Sequence, residues 1–240
     1  MSRGKFVILS SNMKKLSIKS SKSISINGIL HQNTEDLLMI VVHGFKDNMD
    51  VYAVKELSIS LSKFFSVYRF TFPDVENDTK NFNLIDEVDY LKEIINYFYG
   101  KYIKIILVGG SLGAIVCSMV AVDNKNINGL ITLNGLSYFW GINKKFNNYL
   151  AMIILTFPFN GHYAKMYKYY KKHFKPENIL TKTLIITSEN DEIITYKQSQ
   201  KFFSELKTDK KIRILKKPDH GLTKIEYINE VSDVIIDWLK

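Results

Sequence analysis

A serine set among glycines is the residue of this chain with the clearest chemical potential. Ser111 lies in the pattern Gly-Gly-Ser-Leu-Gly at 109–113, after the apolar run 103–108 and before a second apolar run at 114–122. A Gly-x-Ser-x-Gly pattern between a strand and a helix is typical of a nucleophile elbow, which lifts the serine hydroxyl above a sheet. Small neighbours are needed there because larger side chains would collide in the strained turn. We therefore predict that Ser111 is a nucleophile.

Two further residues could activate that serine. A serine hydroxyl is a poor nucleophile at neutral pH and needs a base, which in turn needs a third group to fix its tautomer. Asp191 follows the strand predicted at 183–187, and His220 follows the strand predicted at 212–215. The order serine, acid, histidine is the one expected after a nucleophile elbow. We predict that Ser111, Asp191 and His220 form a catalytic triad.

The acid of this triad has two competing candidates. Glu189 lies on the same predicted loop as Asp191 and would replace it if the loop turned one residue earlier. Asp219 adjoins His220 in sequence, but neighbouring side chains on an extended loop point apart, which makes Asp219 the weaker candidate. The sequence favours Asp191 and leaves Glu189 open.

Acyl transfer also needs two backbone N–H groups aimed at the oxygen that becomes negative, the oxyanion hole. The amide of Leu112, directly after the nucleophile, is one predicted donor. The amide of Phe45 is the second, because Gly44 permits a turn directly after the buried apolar run 37–42. His43, at the start of this loop, is predicted to order it, and a catalytic His43 is the alternative.

Strands and helices alternate along most of the chain, and this order must position the candidate residues. Such alternation is typical of an α/β fold with a mainly parallel sheet and helices on both faces. Ligands of such sheets bind beyond the carboxyl ends of the strands, where the candidates fall. Residues 13–31 add two short alternating segments, with Asn27-Gly28 as a turn signal. The main strands are predicted at 37–42, 67–72, 103–108, 129–133, 183–187 and 212–215.

One long segment departs from this alternation. Residues 135–181 show no strand–helix repeat and predict a small, mostly helical cap insertion, since an unstructured stretch of that length is unusual inside a compact domain. Its aromatic residues are candidate substrate contacts, and packing of the cap on the body is the equal alternative. These residues are Tyr138, Phe139, Trp140, Phe157 and Phe159.

Composition narrows the class of protein. The chain has 240 residues and is 46% hydrophobic, which suits one domain with a sizeable core. It has no apolar run of the ~20 residues that a membrane helix needs. The net charge is +9, but the chain has only three arginines and no nucleic-acid motif, so no nucleic-acid partner is predicted. Cys117 is the single cysteine, which suits a reducing, cytoplasmic location.

Metal and cofactor chemistry find little support in the sequence. His162 and His173 lack carboxylates at ligand spacing, and there is no cluster of cysteines and histidines. The chain also lacks a phosphate-binding glycine pattern. We predict neither a metal ion nor a cofactor.

With these residues in place, the chain resembles the α/β-hydrolase superfamily over nearly its whole length. Within it, the chain is similar to small esterases of the feruloyl-esterase and acylglycerol-lipase type. The resemblance rests on the elbow, the Asp191 and His220 loops, and the segments 42–45 and 70–73. It implies the α/β-hydrolase fold, one domain over 1–240, and the triad and oxyanion roles given above. It also places a cap at 135–181.

Two departures from the family pattern weaken any transfer of substrate preference. The family often has a histidine before the nucleophile, where this chain has Gly110, and a Gly-x-Gly-x-Ser loop where this chain reads Pro-Asp-Val-Glu-Asn at 73–77. The expected activity is hydrolysis of small-molecule carboxylic esters with apolar or aromatic acyl groups, through an acyl-enzyme. A thioesterase, amidase or peptidase on the same scaffold is the nearest alternative. A non-catalytic module that binds an acyl ligand is the alternative from a different class.

Overall fold

The computed structural model describes residues 12–77, 82–122, 124–139 and 161–240. In these ranges the chain forms an eight-stranded sheet in the order β1-β2-β4-β3-β5-β6-β7-β8. The strands are β1 (Asn12–Lys19), β2 (Ser25–Gln32), β3 (Leu37–Val42), β4 (Ser66–Phe70), β5 (Lys104–Gly110), β6 (Gly129–Leu133), β7 (Thr183–Ser188) and β8 (Lys210–Leu215).

The direction of the strands confirms the predicted α/β class. The β1–β2 and β2–β4 pairs are antiparallel, whereas every neighbouring pair from β4 to β8 is parallel. The carboxyl ends of β3, β5, β6, β7 and β8 therefore meet at one edge of the sheet. Loops that follow these strands can place their side chains around a common site.

Helices connect the strands and cover both faces of the sheet. None of those in the described ranges is long and apolar enough to cross a membrane. The helix α3 begins at an Asn83 cap, whose side chain accepts from the Ile85 N–H at 3.1 Å. The helices are α1 (Tyr52–Leu61), α2 (Pro73–Asn77), α3 (Leu84–Phe98), α4 (Leu112–Ala121), α5 (Gly161–His173), α6 (Tyr196–Glu205) and α7 (Ile225–Leu239).

The central strands are apolar on both sides because each face of the sheet is buried. In β3, the even-numbered residues from Leu38 to Val42 lie in one core with α3, α4 and α5. The odd-numbered residues from Leu37 to Val41 lie in a second core with α1 and α7. The helix α4, which follows the predicted elbow, is buried along its whole length. The helix that follows the predicted elbow is therefore held in place by apolar packing.

The prediction of a turn at Asn27-Gly28 was wrong. Both residues lie inside β2, where Gly28 pairs with Leu16 of β1. The chain instead reverses at 20–24, where the Ser20 N–H donates to the Ile24 carbonyl at 2.8 Å and Ser23 has a φ of 61°. Gly28 serves a close approach, because a Cβ there would lie 2.5 Å from the ring of Tyr68.

The predicted cap, residues 135–181, is described only in part. Trp140, Phe157 and Phe159 lie outside the described residues, which resume at α5 and continue through a short 3-10 helix at Pro176–Asn178. The start of the cap segment is held by two side chains from different elements. Gln198 of α6 accepts from the Ser137 and Tyr138 N–H groups at 3.1 and 3.0 Å, and the Tyr170 hydroxyl of α5 donates to the Ser137 carbonyl at 2.9 Å. Gln198 thus ties the start of this segment to α6, and Tyr170 ties it to α5.

Two substitutions test where the amino-terminal hairpin turns. Gly28→Ala is expected to lower the free energy of unfolding by about 1–3 kcal/mol, because the added methyl group overpacks against Tyr68 and the Arg69 carbonyl. Ser23→Gly is expected to leave stability unchanged or raise it by up to ~1 kcal/mol, since glycine adopts a positive φ without strain. Urea unfolding measures both. A fully stable Gly28→Ala protein would contradict the packing explanation.

Candidate active site

Ser111 occupies a strained turn between β5 and α4. Its φ is 51° and its ψ is −120°, a combination that a residue with a side chain adopts only when its surroundings enforce it. Here β6 and its loop enforce it. The Ser111 N–H donates to the Leu133 carbonyl at 3.0 Å, and the Ser111 carbonyl accepts from the Leu136 N–H at 2.9 Å. The backbone on both sides of the hydroxyl is therefore fixed.

The glycines around Ser111 have different reasons to be there. A Cβ at Gly113 would lie 2.5 Å from the His43 carbonyl oxygen, and one at Gly109 would lie 2.5 Å from the Gly113 carbonyl oxygen. These two positions need glycine because backbone segments meet there. A Cβ at Gly110 would have no atom of the described residues within 4 Å, so these residues leave space for a side chain at this position.

His220 lies within hydrogen-bond distance of both other predicted triad residues. The Nε2 atom of His220 is 3.0 Å from the Ser111 Oγ, and its Nδ1 atom is 2.8 Å from the Asp191 Oδ2. A carboxylate only accepts, so Nδ1 carries the proton and Nε2 is left to accept the serine proton. This is the tautomer that a general base for Ser111 requires.

The Asp191 carboxylate is held on both oxygens. Its Oδ2 faces His220, and its Oδ1 accepts from the Ile193 and Ile194 N–H groups at 2.9 and 2.7 Å. The carboxylate is 1% exposed, and the His220 ring is 12% exposed. An orienting acid that is buried and fully bonded keeps the imidazole in one position.

The two competing acids are placed differently. Glu189 is exposed on the loop after β7. The Asp219 carboxylate accepts from the N–H of Thr223 at 2.9 Å and from its hydroxyl, so it is used within its own turn. Of the three candidate acids, the geometry brings only Asp191 to the ring of His220.

His43 orders the loop after β3. Its Nε2 accepts from the Phe72 N–H at 3.1 Å, and its Nδ1 donates to the Gly44 carbonyl at 2.8 Å. Burial lowers the pKa of His43 to about 4, so the ring is neutral at physiological pH. Both ring nitrogens are occupied within the protein, which suits the predicted ordering role.

The same loop lies against the nucleophile. A Cβ at Gly44 would be 3.2 Å from the Ser111 Cβ, so the backbone that leads into Phe45 borders the hydroxyl. Leu112 is the first residue of α4, and its amide has no acceptor within the helix. These placements suit the two amides for an oxyanion hole, and their donor roles stay a prediction.

Residues from β4 and the segment after it hold the continuation of this loop. The Thr71 hydroxyl accepts from the Met49 N–H at 3.1 Å, and the buried Arg69 lies 2.6 Å from the Asp50 carboxylate. The Arg69 guanidinium also donates to the Met49 carbonyl. The loop after β3 is thereby fastened at 49–50 as well as at His43.

A cavity of about 190 Å³ opens beside Ser111 and His220. Its walls are mainly aliphatic and come from β3, α1, β6 and the loop after His220. Besides Ser111 and His220, the polar side chains that line it are Asp47, Tyr52 and Asn134. The aliphatic lining residues include Val51, Val54, Leu57, Leu133 and Leu222.

The cap aromatics that the structure describes do not line this cavity. Tyr138 is buried edge-on against Phe174, with ring centroids 5.7 Å apart, and its hydroxyl donates to Glu205. Phe139 packs against Tyr170 at 4.8 Å between centroids. The rings of Tyr138 and Phe139 thus contact other residues of the 135–181 segment, the Tyr138 hydroxyl reaches α6, and their role as substrate contacts stays a prediction.

Asn134 is a residue that the sequence analysis missed. It follows β6 with a φ of 42°, and its Nδ2 donates to the Asp219 and His220 carbonyls at 3.0 and 3.1 Å. Its Oδ1 accepts from the Ser188 N–H at 2.8 Å. One buried side chain thus joins the loop of the acid to the loop of the histidine. The signal in the sequence was an asparagine before a glycine at a strand end, since asparagine tolerates positive φ.

No group of three or more histidine, cysteine, aspartate or glutamate side chains in the described ranges is arranged to hold a metal ion. The expectation that no metal ion or cofactor takes part stays a prediction.

The neutral state of His43 predicts a dependence of stability on pH. Its pKa is about 4 in the folded chain against 6.5 for a free histidine, so the unfolded chain takes up the proton first as pH falls. Protonation therefore favours unfolding between pH 6.5 and 4, and the loss by pH 5 is about 2 kcal/mol. Urea unfolding at pH 7 and pH 5 measures it.

The control for that measurement is His43→Asn. This variant is expected to be less stable at pH 7 but to lose about 2 kcal/mol less than the wild type on going to pH 5. His31, whose pKa is also lowered to about 4, contributes equally to both proteins. Equal losses in the two proteins would contradict a buried, neutral His43.

Removal of the Asn134 side chain tests whether it positions His220 relative to Ser111 and Asp191. Asn134→Gly keeps the positive φ but removes three hydrogen bonds, so kcat for an ester is expected to fall roughly tenfold to a hundredfold with little change in KM. If Asn134 only supported the fold, the fraction of protein molecules with a reactive Ser111 would fall, but the rate per reactive serine would stay the same. Titration of active sites separates the two, and Thr183→Val, a buried hydroxyl on β7, is the control.

Comparison with known proteins places this geometry in a family. The model described as the prolyl oligopeptidase family matches residues 70–240, a range that contains Ser111, Asp191 and His220. No curated protein matches the chain.

Solved structures share the architecture at low sequence identity. Est1E from Butyrivibrio proteoclasticus, in a structure with ferulic acid bound, superposes with a TM-score of 0.77 at 15% identity, over 93% of this chain and 97% of Est1E. The esterase Pf2001 from Pyrococcus furiosus gives 0.73 at 16% identity, over 96% of this chain and 94% of the esterase. A dienelactone hydrolase from Anabaena variabilis gives 0.70 at 12% identity, over 95% of this chain and 96% of that enzyme. The match over most of the sequence, together with this shared architecture, shows that the chain belongs to the prolyl oligopeptidase family and is a hydrolase with the α/β-hydrolase fold.

Proposed function

We propose that this hydrolase cleaves carboxylic esters through an acyl-enzyme on Ser111. The observation that carries the proposal is the continuous relay from Ser111 through His220 to Asp191, with separations of 3.0 and 2.8 Å. This relay lies at the mouth of a small apolar cavity, the setting in which small-molecule substrates bind.

The first half-reaction forms the acyl-enzyme. The Nε2 atom of His220 takes the proton of Ser111 as Oγ attacks the ester carbonyl carbon, and Asp191 stabilises the resulting imidazolium. The amides of Leu112 and Phe45 donate to the oxyanion of the tetrahedral intermediate. When this intermediate collapses, His220 gives its proton to the leaving alcohol and the acyl group stays on Ser111.

The second half-reaction releases the acid. His220 takes a proton from a water molecule, whose oxygen attacks the acyl carbon through the same oxyanion contacts. Collapse of this second intermediate breaks the bond to Ser111 Oγ, which regains the proton from His220. The products are the alcohol and the carboxylic acid, and the enzyme returns to its starting state.

The proposed substrates are small-molecule esters. The aliphatic cavity suits a short apolar group, and the structural similarity to named esterases, one of them with ferulic acid bound, favours ester over amide substrates. Trp140, Phe157 and Phe159 remain proposed acyl contacts through which the cap would accept an aromatic group.

A second candidate function is peptide hydrolysis. The family match favours it, since the same acyl-enzyme chemistry cleaves amides. A panel of p-nitrophenyl esters, thioesters and peptide p-nitroanilides distinguishes the leaving groups. A higher kcat/KM for the anilides than for the esters would assign the chain to the peptidases.

The serine carries the first prediction from this mechanism. Ser111→Ala is expected to abolish hydrolysis of p-nitrophenyl butyrate to the level of buffer, because no acyl-enzyme can form. A fluorophosphonate probe is expected to label the wild type at Ser111 and to leave the variant unlabelled. Undiminished turnover by the variant would overturn the mechanism, and an unlabelled, folded wild type would favour a binding module.

The same assay separates the candidate acids. Asp191→Asn is expected to lower kcat about 10³-fold or more, since the amide no longer fixes the tautomer of His220. Glu189→Gln is the matched control on the same loop and is expected to retain activity within about twofold. A larger loss from Glu189→Gln would reassign the acid.

A further inference from the structure

We propose that the carboxylate of Asp47 makes the cavity selective for esters that carry a cationic group, such as an ammonium, near the scissile carbonyl. The inference rests on the proposed function and adds the class of substrate. Asp47 lines the cavity beside Ser111, and no salt bridge among the described residues involves it.

Asp47 reaches the catalytic cavity from the loop after β3. A methyl group built at Gly44 would lie 2.8 Å from the Asp47 Oδ2 and 3.6 Å from the Ser111 Oγ, so the carboxylate and the nucleophile border the same point. Asp47 lines the cavity together with Ser111 and His220. A substrate acylating Ser111 would therefore come within a few ångströms of this negative charge.

The carboxylate of Asp47 is partly withdrawn from water. The pKa of Asp47 is raised, mainly because of burial. The positive charge that His220 can carry and a hydrogen bond with the Gly44 backbone act in the opposite direction and are smaller. None of the ion pairs found among the described residues involves Asp47. A partly desolvated carboxylate is stabilised by a cation, and a cationic substrate would supply one.

The surroundings of Asp47 make this interaction selective. The remaining walls are mostly aliphatic, and the other polar side chains that line the cavity carry no negative charge: Tyr52, Ser111, Asn134 and His220. An electrostatic interaction is stronger in such a site than in water because nearby apolar atoms lower the local dielectric. The same charge disfavours anionic substrates and adds nothing for neutral ones. The cavity is thus expected to distinguish charge among groups of equal size.

Two pairs of esters with matched shape test this selectivity. The p-nitrophenyl esters of β-alanine and butyric acid place an ammonium or a methyl group at the end of the same acyl chain. Butyrylcholine and 3,3-dimethylbutyl butyrate place the charge, or its neutral carbon analogue, on the alcohol. The wild type is expected to prefer the cationic member of at least one pair by about tenfold or more in kcat/KM.

The variant Asp47→Asn removes the charge and keeps the shape. Its ratio of kcat/KM between cationic and neutral esters is expected to fall about tenfold in the pair that the wild type distinguishes. The ratio is the chosen readout because loss of folded or active protein affects both esters equally and cancels. Glu189→Gln removes one negative charge from an exposed position after β7, and its ratio is expected to match the wild type.

The outcomes separate this inference from the proposed function. Hydrolysis of the neutral esters with a ratio near one in both pairs would overturn the role of Asp47 and leave the esterase proposal standing. The same holds if Asp47→Asn keeps the wild-type preference. Failure to hydrolyse any of the four esters, with no labelling of Ser111 by a fluorophosphonate, would overturn the esterase proposal itself.

Discussion

The close approach of two backbone segments is the constraint on which the site depends. The first turn of α4 meets the end of β3 where Gly113 faces the carbonyl oxygen of His43, at a distance that admits no side chain. This contact brings the loop that contains Gly44 against Ser111. Because the sheet is buried on both faces by helices, neither segment can move away. The positive φ of Ser111 is tolerated for the same reason, since many contacts enforce it.

Buried polar side chains fix the loops that the sheet brings to the site. Strands deliver three loops to one edge, but loops vary in conformation unless their backbone groups are bonded. His43 bonds the loop after β3 to the segment after β4, and Asn134 bonds the loop after β7 to the loop after β8. Both side chains are buried, where a lost partner is costly. Each loop around Ser111 is therefore fixed to its neighbour as well as to its own strand.

Much of the fold could be predicted from the sequence because its signals are local. The strand predicted at 129–133 has those bounds in the structure, and the one predicted at 103–108 is β5, Lys104–Gly110. The proximity of Ser111, Asp191 and His220 could also be predicted, since each follows its own parallel strand and parallel strands end at one edge. Local patterns of this kind are enough to predict the strands and the edge at which they end, without knowledge of any tertiary contact.

Other features depend on contacts that no local pattern records. Asn27-Gly28 has the sequence of a turn, but the glycine is there to accommodate Tyr68, which is forty residues away along the chain. Asn134 and Asp47 resemble ordinary loop residues until the loops that surround them are assembled. Tyr138 and Phe139 had two equal interpretations because aromatic side chains are common both in cores and in binding pockets, and the sequence does not distinguish the two.

The open space at Gly110 has a consequence for how this site can vary. The elbow needs glycine on two sides of the nucleophile for steric reasons, yet the position directly before it meets no neighbour in the part of the chain that the structure describes. Larger residues can be introduced there by natural drift or by directed evolution without rebuilding the turn. Within these five residues, Gly109 and Gly113 maintain the backbone of the turn, whereas position 110 borders the approach to the hydroxyl. A library that varies only position 110 would therefore change access to Ser111 while the fold is preserved.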